Sequence, residues 1–261
     1  FQANSAAYPI TNVTKQIVYP DGIFLGINAY HDTLVVINPV TVRNSNVNMM
    51  GVYGAGKSVT AKALAIRMDM RGTQMIIIGP EGEYIEFAKS LGGEVIQFSR
   101  NNGINPFSMQ TDTQEDVLDH ISILKTFFKF FIPPAKYDSA VLDHALISLY
   151  KSKERNFDTF LEKLNKSPMA EYLNVLNTGS LQGVFNAKRE LSLDNDLIVF
   201  DISPLGDTEK KAPAMYLLTS LIWQLVNKKS DKKRMLFIDE AHKLLVDREV
   251  AIFYREMVKQ A

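Results

Sequence analysis

The 261-residue sequence contains no cysteine, only four histidines, and equal numbers of basic and acidic side chains. Without cysteine the chain cannot form disulfides, thiol nucleophiles or zinc-thiolate sites, a composition that fits a reducing compartment. The formal net charge of zero provides no global basic field that would indicate nucleic acid. The histidines lack metal-ligand spacing, and we interpret them as ordinary surface or core residues: His31, His120, His144 and His242.

Long apolar runs and two common catalytic signatures are also missing. The longest apolar stretches, such as residues 216–226, are too short to span a bilayer, and the amino end lacks the basic and apolar blocks of a signal peptide. Neither G-x-S-x-G nor G-x-G-x-x-G occurs, so a serine hydrolase or a Rossmann dinucleotide enzyme has no support. Because the sequence begins with Phe1 rather than methionine, we expect it to be a fragment of a longer protein.

A phosphate-binding motif occupies residues 51–58, whose sequence GVYGAGKS fits G-x-x-x-x-G-K-S/T. Its glycines permit positive φ angles and let several backbone N–H groups approach phosphate oxygens. We expect Lys57 to reach the β and γ phosphates and Ser58 to place its hydroxyl on Mg²⁺. The motif predicts a nucleotide-binding set that consists of Gly51, Val52, Tyr53, Gly54, Ala55, Gly56, Lys57, Ser58 and Val59.

The flanking residues match the context that this motif requires, a strand before it and a helix after it. Residues 47–50 are apolar enough to predict a short strand. Residues 58–70 are rich in alanine, leucine and methionine and predict a helix whose N-terminal dipole faces the phosphates. We expect Arg71 and Gly72 to end that helix.

Three continuous apolar runs predict central strands covered on both faces, as in a parallel sheet: residues 75–78, 197–200 and 235–238. Polar or turn residues follow each run, which places them at the carboxyl edge where open α/β sheets bind ligands. Upstream, residues 22–26 and 34–37 predict a short hairpin.

Two adjacent acids end the third run and predict the other half of a catalytic site. We assign Asp239 to Mg²⁺, because the acid that ends such a strand in P-loop enzymes holds the metal. Glu240 would point the other way in an extended stretch, and we assign it to the attacking water as a base. These assignments make Lys57 and Glu240 the predicted catalytic residues, with Ser58 and Asp239 as the magnesium site.

Residues 112–189 change to helical periodicity and predict an all-helical insert. We interpret the aromatic cluster of this insert as core rather than as a partner-binding face: Phe127, Phe128, Phe130 and Phe131. The predicted organisation is an α/β P-loop core formed by residues 46–111 and 190–261. Residues 1–45 would form a hairpin lead-in packed on that core.

Several further motifs, in their order along the chain, resemble the conjugal-transfer ATPases of bacterial type IV secretion, the TraC, TrbE and CagE group that includes the fourth component of the VirB apparatus. PEGEY at residues 80–84, LGGEVIQFS at 91–99 and INPF at 104–107 are the most specific of them. GIFLG at 22–26, LIVFDIS at 197–203 and LFIDEAHKLL at 236–245 extend the resemblance over nearly the whole chain.

This resemblance implies a RecA-like P-loop NTPase with a mostly parallel central sheet, using ATP and Mg²⁺. It also implies a hexamer or related homo-oligomer at the cytoplasmic face of the bacterial inner membrane, in contact with other secretion components. ATP hydrolysis there would drive pilus assembly and substrate transfer, and the resemblance places the needed arginine finger beyond Ala261. The family commonly has an aspartate where this chain has Gly79, while Glu81 remains as a possible accessory acid.

Three other interpretations stay open at this level. Residues 239–242 spell the box of DEAH helicases, and ring-shaped DNA translocases of the FtsK and HerA kind, or conjugative coupling proteins, share the fold. The combination of PEGEY and INPF favours the secretion ATPases over both, and contact with DNA is left undecided. A degenerate motor kept as a scaffold is the third, although Lys57, Ser58, Asp239 and Glu240 are all intact.

Overall fold

In the computed structural model, residues 17–29, 31–38, 45–52, 54–109, 113–164, 167–187, 193–206, 208–227, 232–245 and 248–260 are described. The chain divides into two compact units, one of residues 1–71 with 258–261, the other of residues 72–257. None of the helices within those described ranges has the length and apolar character that crossing a membrane requires.

Within the residues that the structure describes, the first unit contains a three-stranded sheet and one complete helix. Strands β1 (Ile17–Val18), β2 (Ile23–Ile27) and β3 (Leu34–Ile37) are ordered β1-β3-β2, and helix α1 covers Lys57–Asp69. The predicted hairpin is confirmed, because β2 pairs antiparallel with β3.

Two arginines attach α1 to this hairpin. Arg67 donates to the Phe24 carbonyl and stacks its guanidinium 5.5 Å from the centre of the Phe24 ring. Arg71 donates to the Gly22 carbonyl across 2.6 Å. Two cationic side chains therefore add hydrogen bonds to backbone carbonyls and a cation–π contact between this helix region and the hairpin.

The prediction of a strand at residues 47–50 is wrong, because the described residues 45–52 belong to no strand. Met50 is 90% exposed and Val47 is 49% exposed. Asparagines alternate with the apolar residues here and disfavour a pleated strand. One of them, Asn46, instead donates to the Val258 carbonyl.

The second unit is built on a four-stranded, entirely parallel sheet. Its strands are β4 (Gln74–Gly79), β5 (Glu94–Gln97), β6 (Leu197–Asp201) and β7 (Arg234–Ile238), in the order β5-β6-β4-β7. All residues of β4 and β6 are buried, so these two predicted central strands are confirmed. The third predicted run is also a strand, but β7 lies at the sheet edge and is only half-buried.

Seven helices with described bounds follow in chain order, and the last of them, α8, ends within the residues of the first unit. They are α2 (Ile85–Ser90), α3 (Gln114–Lys129), α4 (Ser139–Tyr150), α5 (Phe157–Lys163), α6 (Pro168–Asn177), α7 (Thr208–Asn227) and α8 (Arg248–Gln260). Short 3-10 turns lie at Pro134–Lys136, Ser203–Leu205 and Ala241–Leu244. Helices α3 to α6 fall within the predicted helical insert, residues 112–189.

Aromatic packing joins this helical region to the rest of its unit. Phe127 and Phe128 are fully buried, whereas Phe130 and Phe131 are partly buried against the same core, so the interpretation of this cluster as core is confirmed. Phe107 from the INPF motif contributes a ring 4.8 Å from that of Phe157. Asn105 of the same motif donates to the Arg155 carbonyl and accepts the Phe107 N–H, which fixes the loop that carries this ring.

A buried histidine in α3 makes the stability of this unit depend on pH. Both ring nitrogens of His120 lie 2.8 Å from oxygen atoms, Gln224 Oε1 and Pro106 O. Burial is the main cause that lowers the pKa of His120 below 6.5, and the Arg155 charge adds to it, while the two hydrogen bonds oppose the shift. The folded protein therefore keeps the ring neutral at a pH where the unfolded chain takes up a proton.

We predict that the free energy of unfolding falls as the pH drops below about 6.5, by at most about 1.4 kcal/mol per pH unit from this one group. The sign follows because the unfolded state binds the extra proton. His120→Gln should flatten the profile between about pH 6.5 and the lowered pKa of the folded state. Denaturant unfolding at several pH values measures this, with the exposed His144→Gln as control. Equal slopes for His120→Gln and the wild type would contradict the assignment.

Candidate functional site

The glycine-rich loop of the first unit has the backbone that its motif predicts. Gly54 and Gly56 take φ angles of 77° and 83°, in the left-handed region that glycine adopts without strain. A β carbon on Gly51 would lie 3.2 Å from that of Ala55, so the loop leaves little room for a side chain there. Tyr53, which the motif also includes, lies outside the described residues.

Lys57 is the first residue of α1, and its side chain folds back over the loop. Its ammonium donates to the carbonyls of Gly51 at 3.0 Å and Val52 at 3.3 Å. The first turn of α1 contains no acidic residue, and Gly56 provides no side-chain cap. The amides of that turn and the Lys57 cation therefore present a positive surface that suits an anion.

The acids of the second unit stand at the carboxyl edge of its sheet. Asp239 directly follows β7, and its N–H donates to the Ile78 carbonyl of β4. Burial is the main cause that raises the pKa of Asp239, and the nearby charges of Glu240 and Glu83 raise it further. The hydrogen bond from the Glu240 N–H, 2.9 Å from Oδ1, and the nearby Tyr84 side chain act against this shift.

Glu240 differs from its predicted conformation. It is not extended but left-handed, with φ 53° and ψ 34°, so the alternation of side chains along a strand does not place its carboxylate. A non-glycine residue in this region costs about 1 to 3 kcal/mol and is typical of functional positions. Its carboxylate lies 3.2 Å from Nδ1 of His242, a mostly exposed side chain. The sequence offered no signal for this turn, in which the Glu240 N–H also donates to Asp239 Oδ1.

Glu81, the possible accessory acid, has a cationic partner within its own unit. Lys211 of α7 is 7% exposed and places its ammonium 3.3 Å from a Glu81 carboxylate oxygen. The PEGEY loop is therefore tied to α7 through this ion pair. Sequence reasoning missed Lys211, since nothing local distinguishes it from other lysines of that helix.

A second buried acid at the same edge was also missed, although it belongs to the LIVFDIS motif. Asp201 is 1% exposed and accepts hydrogen bonds from the Gln97 side chain and from the Ser203 N–H and hydroxyl, each at 3.0 Å. The three hydrogen-bond donors to Asp201 are thus groups of the neighbouring strand and turn. Asp201 therefore orders the turn after β6 and joins it to β5.

The residue types predicted to hold magnesium, a hydroxyl and a carboxylate, are those that P-loop enzymes use. Among the residues that the structure describes, no group of three or more His, Cys, Asp or Glu side chains could hold a metal by itself. Mg²⁺ in such enzymes takes one or two protein ligands and completes its shell with phosphates and water. A hydroxyl such as that of Ser58 and a carboxylate such as that of Asp239 are ligands of the required kind.

The sequence matches the family of AAA-like domains over residues 36–260. The chain belongs to this family. Among solved structures it is similar to VirB4 of Thermoanaerobacter pseudethanolicus, at 27% identity and a TM-score of 0.79, over 94% of this chain and 74% of that one. The resemblance to the VirB4 and TraC type of secretion ATPase and the RecA-like P-loop fold are thus confirmed.

The bacterial conjugative coupling protein TrwBdeltaN70 also matches, at 14% identity and a TM-score of 0.47, over 80% of this chain and 59% of that one. No curated protein matches the sequence. The AAA-like chain is an ATPase-type P-loop protein, and nucleotide binding is the property that its family implies.

We predict that Asp239→Asn stabilises the ligand-free protein at neutral pH. A folded-state pKa raised above that of the unfolded chain means that ionised Asp239 opposes folding once the pH exceeds both values. Asparagine keeps the oxygen that accepts the Glu240 N–H and removes the charge. Thermal unfolding at pH 7 should show a higher midpoint than the wild type, whereas Asp119→Asn, an exposed carboxylate on α3, should show no such gain. An unchanged or lower midpoint for Asp239→Asn would refute the argument.

Proposed function

We propose that this chain is an ATP-hydrolysing motor domain of a bacterial type IV secretion or conjugation apparatus, in which ATP hydrolysis drives pilus assembly and substrate transfer. The proposal rests mainly on the glycine-rich loop before α1, where the Lys57 ammonium folds back over the loop. The chain that carries this loop is similar to VirB4 over 94% of its length. This loop and the fold together support ATP as the ligand.

In this proposal the residues of the two motifs have separate roles. The loop amides from Gly54 to Ser58 bind the phosphate oxygens, and Lys57 exchanges its carbonyl partners for the β and γ phosphates. Gly51, Val52 and Val59 complete the nucleotide-binding segment, together with Tyr53. Ser58 and Asp239 hold Mg²⁺, which neutralises phosphate charge when it is bound.

Glu240 has the role of orienting and deprotonating the attacking water. Its exposed fraction, 33% of the side chain, leaves the carboxylate accessible to a water molecule. His242 contacts it from the solvent side and can hold its orientation. Glu81 is paired with Lys211, which supports a role in ordering the loop rather than in holding the metal.

The partners proposed for this domain are further copies of itself, as a hexamer or related ring, and other components of the secretion apparatus. Its proposed location is the cytoplasmic face of the bacterial inner membrane, where association with the membrane would be peripheral and made through the apparatus. These proposals rest on the similarity to VirB4 and on the motifs shared with the conjugal-transfer ATPases.

We predict that Mg-ADP raises the melting temperature of the wild-type chain. At a ligand concentration about a hundredfold above Kd, binding to the folded state alone adds about 2.7 kcal/mol of stability. Lys57→Ala should remove most of that shift, because the cation over the loop is lost. Lys62→Ala, on the same helix but outside the loop, should keep it. A wild-type melting temperature that saturating Mg-ADP leaves unmoved would rule out the proposed ligand.

A separate prediction distinguishes nucleotide binding from hydrolysis. Glu240→Gln removes the base but preserves its shape, so ADP affinity should persist while the ATP hydrolysis rate falls by about 10² to 10⁴. Steady-state phosphate release measures the rate, and Glu86→Gln, an exposed acid on α2, is the matched control. If Glu240→Gln turns over ATP as fast as the wild type, Glu240 is not the base.

A further inference from the structure

Lys211 is a buried lysine to which the function proposed above gives no part in the reaction. It lies near the start of α7, is 7% exposed, and places its ammonium 3.3 Å from a carboxylate oxygen of Glu81. The side chain of Glu81 is 47% exposed, so the pair joins a cation inside the protein to an acid at its surface. Burying an ammonium is costly unless a partner compensates the charge. Glu81 provides that compensation.

This ion pair is a poor device for stability alone. An apolar side chain of similar size often serves a buried position as well as an ion pair does, because no charge has to leave water. Most of the buried positions that follow in α7 are apolar, among them Ala214, Met215, Leu217 and Leu218. A lysine at the start of this series indicates that its charge is needed for what it binds, which is the PEGEY loop.

The PEGEY loop is attached to the turn after β6 at two further points. The carbonyl of Gly79, just before the loop, accepts the Ile202 N–H at 3.1 Å. A β carbon on Gly82, whose φ is 76°, would lie 3.3 Å from the hydroxyl oxygen of Ser203, so the loop passes close to that turn. Glu81 lies between these two points in the chain. Its ion pair therefore fixes the middle of the loop to α7.

The end of the loop packs against the strand that precedes the proposed catalytic acid. Tyr84 is 1% exposed, and its ring centre is 5.7 Å from that of Phe237 on β7. A β carbon on Gly79 would lie 2.9 Å from Cδ2 of the same ring, so the ring is confined between two strands. Phe237 precedes Asp239 by two residues and Glu240 by three. A shift of the loop would therefore disturb the end of β7.

Helix α7 also supports the turn that follows Glu240. It packs against the 3-10 turn Ala241–Leu244, as well as against β4 and the turn Ser203–Leu205. The left-handed Glu240 is the N-cap residue of the 3-10 turn at 241–244. One helix thus contacts the segment after Glu240 and, through Lys211, the loop that packs on the strand before it. The two segments that flank the acid share one support.

We propose that Lys211 is a positioning residue for hydrolysis, whose ion pair with Glu81 holds the PEGEY loop on α7 so that Glu240 keeps the geometry that the attacking water needs. This inference rests on the catalytic role proposed for Glu240. A displacement of about 1 Å at a reacting group can cost about a hundredfold in rate. The pair includes none of the residues proposed to bind phosphate. Its loss should therefore lower kcat and leave the affinity for ADP near that of the wild type.

Lys211→Met tests the proposal, because methionine fills the buried position without a charge. The kcat for ATP should fall by about ten- to a hundredfold, while the Kd for a fluorescent Mg-ADP analogue stays near the wild-type value. Lys125→Met is the matched control, since Lys125 also pairs with a carboxylate of its unit, Asp143 at 3.0 Å, but joins α3 to α4. It should alter neither quantity. A wild-type kcat in Lys211→Met would overturn the proposal.

Glu81→Gln removes the other partner and keeps the shape of its side chain. It should lower kcat as Lys211→Met does, and the double variant should be no slower than the slower single variant, since both changes break one contact. Additive losses would refute the claim that the two residues act through their pair. Glu81→Gln should also lower the melting temperature more than Lys211→Met, because it leaves a buried charge without its partner. The reverse order would contradict the compensation assigned to Glu81.

Amide hydrogen exchange of the nucleotide-free protein separates this inference from the proposed function. The N–H groups of Ile85 and Ala88 donate to the Gly82 and Tyr84 carbonyls, so they report on the order of the loop and of the first turn of α2. Their exchange should be at least about tenfold faster in Lys211→Met, as expected for the loss of a hydrogen bond between charged groups. The Lys125→Met control should exchange as the wild type does.

The combined outcomes distinguish the two proposals. Equal exchange in Lys211→Met and the wild type would show that the pair does not hold the loop, and would overturn this inference while the proposed function stands. If the wild type fails to hydrolyse ATP although exchange responds as expected, the proposed function fails instead. Lys211 would then be a structural residue of the loop and would have no part in positioning Glu240.

Discussion

The parallel pairing of β4 with β6 and β7 is the constraint on which the second unit depends. Gly79 pairs with Asp201 on one side, and on the other the Asp239 N–H continues the ladder to the Ile78 carbonyl. This register brings both acids to one edge of the sheet while Ile76 to Ile78 stay buried. A slip of one residue would turn the acids toward the opposite face and disrupt the packing of the isoleucines, so the same interactions that bury the core also aim the site.

The loop between β4 and α2 connects the elements that meet at this edge of the sheet. Gly79 accepts the Ile202 N–H, Glu81 pairs with Lys211, and the Tyr84 ring packs against Phe237. One short segment therefore contacts the turn after β6, helix α7 and strand β7. The PEGEY motif is therefore specific to this fold, because Glu81 and Tyr84 each have a particular partner in it.

The acidic edge also illustrates a conflict between stability and chemistry. Asp239 is half-buried among two other carboxylates, and Glu240 occupies a left-handed conformation that is unfavourable for its residue type. Neither feature stabilises the folded chain, and both are tolerated because the sheet and the aromatic core hold the surrounding backbone. The helical region contributes to that support through Phe107 and Asn105, which bind the INPF loop to the insert.

The amino-acid sequence by itself determined the features that depend on residue type and local spacing. These features include the loop at residues 51–58, the acid pair at 239 and 240, and the buried strands β4 and β6. A phosphate loop needs its glycines and lysine at set intervals, and a strand covered on both faces must be continuously apolar. Only the tertiary structure decided the edge position of β7, the existence of β5, the left-handed Glu240 and the packing of Tyr84 against Phe237. These depend on which residues far apart in the chain come into contact, and contact across the fold leaves no periodic signal along the sequence.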